Sequence, residues 1–418
     1  MTSNIGRLGE PAPAGGSAVR NSPLAEEILR LIWRERRISR ADIARRLDLS
    51  RSTVSELVSG ILRTGLVAEV GMGPSRGGRP PILLEFQDEA CVILGVDMGA
   101  AHVGVALTDL RGRVLAWEHR HHPVRDDPKG TRALILDLCD TVLASRDGAK
   151  QRLIGVGTAV PSPLDPNDPG RLSELVLPAW GGESRLEELS TRYGVPLMMD
   201  NDANLGALAE RWWGAGRDVD NFAYIKVATG VGSGHVIDGK IYRGATGVAG
   251  EIGHIAIDPN GGPCICGLRG CLATLVGAPA LASRAEELFP DYPESTLRET
   301  PPTLETIETA ALAGDPLARR IVEEAAENLG IAVAGMINLM NPSMVILGGG
   351  LERVGDLLLE PLRETVRRRT LVSSVAASEV LTSDLGPRVV AVGAATLILE
   401  AALEDSRLLT VAGLRKEA

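Results

Sequence analysis

Leu24, Ile28, Leu31 and Ile32 recur at three- and four-residue spacing, and similar apolar stripes return twice before residue 65, which predicts three short amphipathic helices. Ser39 opens the second, with Asp42 three residues on as an acid suited to the positive end of the helix dipole, and Ile43, Ala44 and Leu47 line its inner face. Ser50 opens the third, where Val54, Leu57, Val58, Ile61 and Leu62 keep helical spacing up to Gly65. Residues 66–70 and 82–86 then read as two strands. This order of elements spells a winged helix-turn-helix. Its third helix presents Ser50, Arg51, Ser52, Thr53 and Ser55, short or cationic side chains that reach phosphates and base edges in a major groove. The segment 74–81 forms the wing and carries Arg76 and Arg79, two cations suited to a narrow minor groove. The helices alone also fit a plain packing module, and the wing a Pro/Gly linker; together they favour DNA binding.

From residue 88 the pattern changes to strands alternating with helices. Strands over 91–96, 102–107 and 114–117 form a meander, and a helix near 130–146, a strand over 153–160, a helix near 184–193 and a strand over 196–199 complete a mixed α/β lobe. A second strand set starts at 222–227 and runs through 234–241, repeating the meander, so the body reads as two related lobes facing across a cleft. Helices near 276–288, 304–313 and 315–340 follow, then a strand over 344–347, the turn 348–350, a helix near 355–369 and a closing helix over 393–399. The proline-laced stretch 290–302 reads as a surface loop. The expected division is a disordered tail over 1–20, the DNA-binding head over 21–87, a first lobe over 88–200 completed by a C-terminal helix at about 392–418, and a second lobe over 201–391. No run of eighteen apolar residues and no basic start before an apolar stretch occur, so neither a membrane span nor a secretory signal is expected, and the cytoplasm follows.

Charge adds an asymmetry. The net charge is −10, yet residues 1–87 carry 13 arginines against 9 acids, and all their basic residues are arginine. An arginine-bearing head on an acidic body contacts nucleic acid at one end only.

Chemistry concentrates between residues 251 and 271. His254, Cys264, Cys266 and Cys271 place an imidazole and three of the chain's five thiols in a loop of glycine and proline, which reads as a tetrahedral zinc site. Four protein ligands leave no open position, so the metal is structural; the bland alternative is a set of buried apolar cysteines. Glu251, three residues before His254, becomes a carboxylate of fixed orientation, suited to hold sugar hydroxyls. Cys91 and Cys139 sit in apolar surroundings, and reduced thiols suit the cytoplasm better than a disulfide framework does.

The run Glu251-Ile-Gly-His254, followed by Cys264-Ile-Cys266-Gly-Leu-Arg-Gly-Cys271, resembles the ROK family (repressors, open reading frames and sugar kinases), and supporting motifs extend from about residue 24 to 400. The head resembles the family's xylose-repressor-like regulator branch, with a similar Gly-Gly-Arg-Pro stretch after the wing. The resemblance implies an actin-like (ribonuclease H-like, hexokinase-type) two-lobed body. Asn201-Asp202 matches the Asn-Asp pair in which the kinases' aspartate is the general base, and Gly230-Val-Gly232 and the turn centred on Gly349 match the phosphate and adenosine turns. Each of these also fits a structural role: a helix cap for the pair, a plain turn for the glycines. Asn201, Asp202, Glu251 and His254 are the implied effector contacts, His254 serving sugar and zinc from its two ring nitrogens.

Two departures matter. The family's Asp-x-Gly-x-Thr keeps Asp97 and Gly99 but has Ala101 for the hydroxyl, and Gly-Cys-Leu-Glu ends here in Ala273. A hydrogen bond to a charged group contributes about 1.5–3 kcal/mol, so losing the hydroxyl impairs phosphoryl transfer without abolishing it. The head carries most of the decision. The expectation is a DNA-binding transcriptional regulator of carbohydrate metabolism, most simply a repressor, with no catalytic residue. It binds double-stranded operator DNA and a sugar effector, as a homodimer or dimer of dimers. The alternatives are a hexose kinase with Asp202 as base and a regulatory head, or a regulator whose pocket has lost its sugar. The tract Glu118-His-Arg-His121-His122 reads as a solvated loop, and Trp212-Trp213 as packing.

Overall fold

The structure is a computed structural model that describes residues 7–8, 22–74, 80–371 and 378–410. The strand β1 (Arg7–Leu8) pairs antiparallel with Leu197 and Met198, so part of the stretch expected to be a disordered tail lies on a sheet. The rest of that stretch lies outside the described residues.

The head consists of α1 (Pro23–Glu35), β2 (Arg37–Ser39), α2 (Arg40–Arg46), α3 (Arg51–Leu62), β3 (Val67–Met72) and β4 (Ile82–Phe86), with sheet order β2-β4-β3. Both foreseen caps form, Ser39 Oγ accepting from the Asp42 amide and Ser50 Oγ from the Thr53 amide, each at 3.1 Å. Such a cap contributes about 1 kcal/mol. Ile28, Ile32, Ile43, Val54, Val58 and Leu84 are fully buried, so the helical stripes close on the hairpin as their spacing requires.

The first lobe contains β5 (Val92–Met98), β6 (His102–Thr108), β7 (Val114–His121), α4 (Pro128–Ala144), α5 (Ala149–Arg152), β8 (Leu153–Val160), α6 (Glu187–Tyr193) and β9 (Leu197–Asn201). Its sheet runs β1-β9-β8-β5-β6-β7. The tract 118–121 belongs to β7 rather than to a loop, because its residues pair with β6 as far as His102 against His121. Then α7 (Asp202–Trp213) leads to the second sheet.

The second lobe holds β10 (Phe222–Val227), β11 (Val231–Ile237), β12 (Lys240–Tyr242), α8 (Ala273–Val276), α9 (Ala278–Leu288), α10 (Leu304–Ala313), α11 (Pro316–Met340), β13 (Met344–Gly349), α12 (Asp356–Arg369) and β14 (Glu379–Thr382), with sheet order β12-β11-β10-β13-β14. In each lobe a central strand, β5 or β10, pairs antiparallel with its successor and parallel with a later strand, β8 or β13. That shared topology is the actin-like duplication. The expected strand set through 222–241 forms a three-stranded meander, β10 to β12, with its second turn at Asp238 and Gly239, both with positive φ. The strand β14 had not been foreseen. The loop 290–302 is not wholly at the surface, since Ser295 and Leu297 are buried and Ser295 Oγ bonds the Asp315 carboxylate at 3.0 Å.

The closing helix α13 (Val389–Glu404) outruns the expected 393–399 at both ends, but the C-terminal helix expected at about 392–418 stops at Glu404, where the helix breaks before α14 (Arg407–Thr410). The stretch Gly386–Glu404 is long and apolar enough to cross a membrane by length and composition, but Arg388 and Glu400 interrupt it and 72% of its apolar window is buried inside the fold. It packs on β5, β8 and α7 as a core helix. A Cβ at Gly393 would sit 1.8 Å from the Leu205 carbonyl oxygen, so only glycine lets α13 and α7 cross this closely.

Candidate functional site

Between the lobes lies a cleft of about 1080 Å³, lined by Gly99, His102, Asn201 and Asp202 on one side and by Lys226, Gly230, Gly232, Glu251 and His254 on the other. All four candidate effector residues therefore meet in one cavity. Gly349 ends β13 with φ +90 and is not among the residues lining that cavity.

Asn201 caps α7. Its Oδ1 accepts from the Ala203 and Asn204 amides at 2.9 and 3.3 Å, and its Nδ2 donates to the Ser162 carbonyl at 3.3 Å. Little of this side chain is left to read a ligand. Asp202, the first residue of the helix, gives Oδ2 to the Lys226 ammonium at 2.7 Å. Lys226 was not singled out from sequence, although it is the one charge in the otherwise uncharged run of β10 and a buried lysine needs a partner. Burial alone would lower its pKa, but Asp202 and Asp97 reverse the sign and raise it. Asp97 mirrors this: burial opposes its charge, yet Lys226 and His102 together hold its carboxyl down at about 2. Behind them Asp200 accepts from Arg243 Nη2 at 2.6 Å, tying β9 of the first lobe to the second just under α7. That pair also escaped the sequence reading, because its partners are 43 residues apart.

The candidate metal-ligating group is compact. The ligand atoms of His254, Cys264, Cys266 and Cys271 all lie within 4.8 Å of one another, with His254 Nδ1 3.4 Å from Cys264 Sγ and the Cys266 and Cys271 sulfurs 3.7 Å apart. Zinc–sulfur bonds of about 2.3 Å give a tetrahedral sulfur–sulfur edge of about 3.8 Å, so the spacing fits. The loop closes tightly because the Cys264 amide donates to the Leu268 carbonyl at 2.8 Å and Gly267 back to Cys264 at 3.0 Å. At Gly270, φ is +63 and a Cβ would collide with the Asp258 carbonyl oxygen, so this position admits only glycine.

His254 joins this group to the cleft. With Nδ1 toward the sulfurs, its Nε2 lies 3.9 Å from Glu251 Oε2. Burial pushes the imidazole down, favouring the neutral form a metal ligand needs, and burial reinforced by Asp202 pushes the Glu251 carboxyl up. Ala273 lines the cleft, so no carboxylate reaches in from that position. On the far wall His102 Nε2 lies 3.2 Å from Asp97 Oδ2, and its ring stacks toward His119 at 5.1 Å.

The head presents its candidate residues outward. Ser50, Arg51, Ser52 and Ser55 are exposed and Thr53 is half-buried, with Ser50 Oγ 2.8 Å from both the Ser52 and Thr53 hydroxyls. Arg76 and Arg79 lie outside the described residues. Head and body are joined through Trp33 of α1. Its Nε1 donates to the Leu110 carbonyl at 3.0 Å, and the Arg111 guanidinium lies 4.4 Å from its ring centroid. Its edge meets Trp212, and Trp212 and Trp213 donate to Glu400 and Thr396 of α13 at 2.7 and 2.8 Å. The tandem tryptophans are packing, as expected: Trp212 packs against Trp33 of the DNA-binding head, and Trp213 against the body beside Gly112 and Thr396.

A family model described as ROK family matches residues 93–401, and one described as winged helix-turn-helix DNA-binding matches residues 22–59. The xylose repressor of Caldicellulosiruptor bescii is 31% identical, over 89% of this chain and 94% of the repressor. A solved ROK family transcriptional regulator, a homolog of the E. coli MLC protein, matches with a TM-score of 0.75 and 27% identity, over 93% of this chain and 98% of its own. A ROK family glucokinase from Streptomyces griseus, in complex with glucose and AMPPNP, matches with a TM-score of 0.66 and 30% identity, over 73% of this chain and 98% of its own.

Proposed function

Because the chain belongs to the ROK family and carries a winged helix-turn-helix ahead of the two-lobed body, we propose that it is a sugar-responsive transcriptional repressor of carbohydrate metabolism. Its head binds operator DNA and its cleft takes a sugar or sugar derivative. One observation carries the coupling between the two: α7 begins in the cleft at Asp202 and ends against the head at Trp212. Twelve helical residues span about 18 Å, so a displacement at one end is delivered at the other by a single stiff element.

In this reading the sugar's hydroxyls engage Glu251, the Nε2 of His254 and the oxygen of Asp202 that Lys226 leaves free. Asn201 acts chiefly as the cap that fixes the start of α7. Closing the lobes on the ligand moves α7 against α13, and the Trp212 indole shifts Trp33 and with it the recognition helix. A sugar that releases DNA must bind more weakly to the DNA-bound form, because coupling is reciprocal. The assignment of Ser50, Arg51, Ser52, Thr53, Ser55, Arg76 and Arg79 to DNA contact belongs to this proposal.

The donor set and spacing of His254, Cys264, Cys266 and Cys271 support zinc as the resident ion. A structural zinc supplies fixed geometry rather than catalysis, and His254 is held with Nε2 facing the sugar. We place the protein in the cytoplasm as a homodimer or dimer of dimers, two heads matching half-sites about one or two helical turns apart. The test is protection mapping of DNA upstream of the protein's own gene and adjacent sugar-metabolism genes, with and without a panel of pentoses, hexoses and N-acetylhexosamines. A protected palindrome whose occupancy changes with one sugar supports the proposal, and no protection at low salt overturns it.

A further inference from the structure

In both sheets of a phosphoryl-transferring site of this kind, nucleotide phosphates and a divalent cation would need the room between Asp97, Asp202 and the two glycine turns. Here a cation of the chain itself lines that room. Lys226 pairs in register with Gly232 on one neighbouring strand and with Gly348 on the other, so it sits between the two turns. Its ammonium, with the side chain 9% exposed, is bonded to Asp202 at 2.7 Å, and Asp97 is near enough to interact with it as well. Of the two carboxylates that would hold a divalent ion, Asp202 is bonded to this lysine and Asp97 to His102 Nε2, while Asp97 Oδ1 has no hydrogen-bond partner among the described residues.

The first turn is closed too. The Gly99 amide, which could meet a phosphate oxygen, donates to the His102 carbonyl at 3.0 Å. The His102 ring lies over that turn so closely that a Cβ on Gly99 would be 2.3 Å from it, and Nε2 holds Asp97 at 3.2 Å. With Ala101 in place of a hydroxyl, the phosphate ligands on this side are spent or missing. These residues do not fit a metal-bound nucleotide.

We propose that Lys226 is an internal cation standing where metal-bound nucleotide phosphates would lie, with His102 sealing the adjoining turn, so that the cleft is a single-ligand sugar receptor closed to Mg2+·ATP. This rests on the reading of the cleft as a sugar site. A lysine in a divalent ion's place cannot dissociate, so the site would be fixed in its ligand-receiving form without a second substrate.

Calorimetric titration of the full chain with Mg2+·AMPPNP, alone and with each sugar of the panel, is the direct test. No saturable binding at millimolar nucleotide is expected, and one nucleotide bound per chain overturns the proposal. A second measurement uses Mn2+ alone, followed by electron paramagnetic resonance. Lys226→Met should gain a Mn2+ site about tenfold or more tighter than anything in the wild type, since two buried carboxylates lose their counter-charge, and adding Asp97→Asn should abolish it. A folded Lys226→Met that gains no Mn2+ site contradicts the internal-cation role. The wild-type nucleotide titration decides even where the variants fail to fold. Failure of the repressor reading looks different: no sugar bound and no DNA protected, whatever the nucleotide does.

Discussion

The Trp33 indole of the head meets the Trp212 indole of the body edge-on, with ring centroids 5.6 Å apart and planes at 65°. Trp212 is also held by Glu400 of α13, so the head rests on a residue whose own helix starts in the cleft. Aromatic pairs in this geometry contribute about 0.5–1.5 kcal/mol beyond their buried area. Replacing Trp212 by alanine should therefore leave sugar affinity and DNA affinity separately measurable while the influence of one on the other collapses. Couplings of this kind are about 1–3 kcal/mol, and fluorescence anisotropy of labelled operator DNA with and without sugar reads the loss. Full coupling in a folded Trp212→Ala variant would remove α7 as the route.

Cys264→Ser should lower zinc content from about one ion per chain, because a tetrahedral structural site loses one of its four ligands. Elemental analysis of protein purified without added metal checks this. Loosening of the loop should let trypsin cut faster at Arg269, which is already exposed, and sugar affinity should fall with it as His254 loses its fixed orientation. Unchanged metal content would show that the four side chains do not act together.

Arg76 and Arg79 belong to the wing by sequence. Each arginine that neutralises one phosphate contributes about 0.9 to the slope of log K against log salt. Arg76→Ala and Arg79→Ala should each weaken binding and flatten that slope by about this amount. Arg51→Ala, at the start of the recognition helix, should instead change which operator variants are preferred if it reaches a base edge. An unchanged salt slope in both wing variants would exclude the wing from DNA.

Acid stability carries a signature of the Lys226 cluster. Burial alone would raise Asp97, but Lys226 and His102 hold it at about 2 against an ordinary 3.8. The unfolded chain thus binds the proton more readily, so this contribution is complete above the ordinary carboxylate range and is lost as pH falls toward about 2. The shift corresponds to about 2 kcal/mol for a buried group. Urea unfolding of wild type between pH 5 and pH 2 should show that loss, and Asp97→Asn should show less of it. Equal pH slopes in the two proteins would mean that Asp97 is not held by its neighbours.

What was legible beforehand follows from range. The caps at Ser39 and Ser50 are readable because a cap is a contact across three residues, and the His254, Cys264, Cys266 and Cys271 cluster because its four side chains fall within one loop. The Lys226–Asp202 pair was not, since a lysine in an otherwise uncharged strand reveals its partner only once β10 is laid beside α7. Arg243 and Asp200 escaped for the same reason. The closing helix α13 was seen only in its middle, because a helix buried on nearly all sides has no polar face to mark its period. The end of β7 reads as a loop in the sequence because the polar tract follows a strand over 114–117, whereas pairing with β6 extends that strand to His121. The role of α7 lay in none of its residues singly, as it depends on which element stands at each end.

The most direct measurement of the central claim is the affinity of the full chain for its operator duplex as each sugar is titrated in at fixed salt. Tight binding is expected without ligand, with a change of about fivefold or more at saturation with one class of sugar. This change should vanish when Glu251→Gln and His254→Ala together remove two of the three proposed sugar contacts. Operator affinity indifferent to every sugar that demonstrably binds the cleft would contradict it.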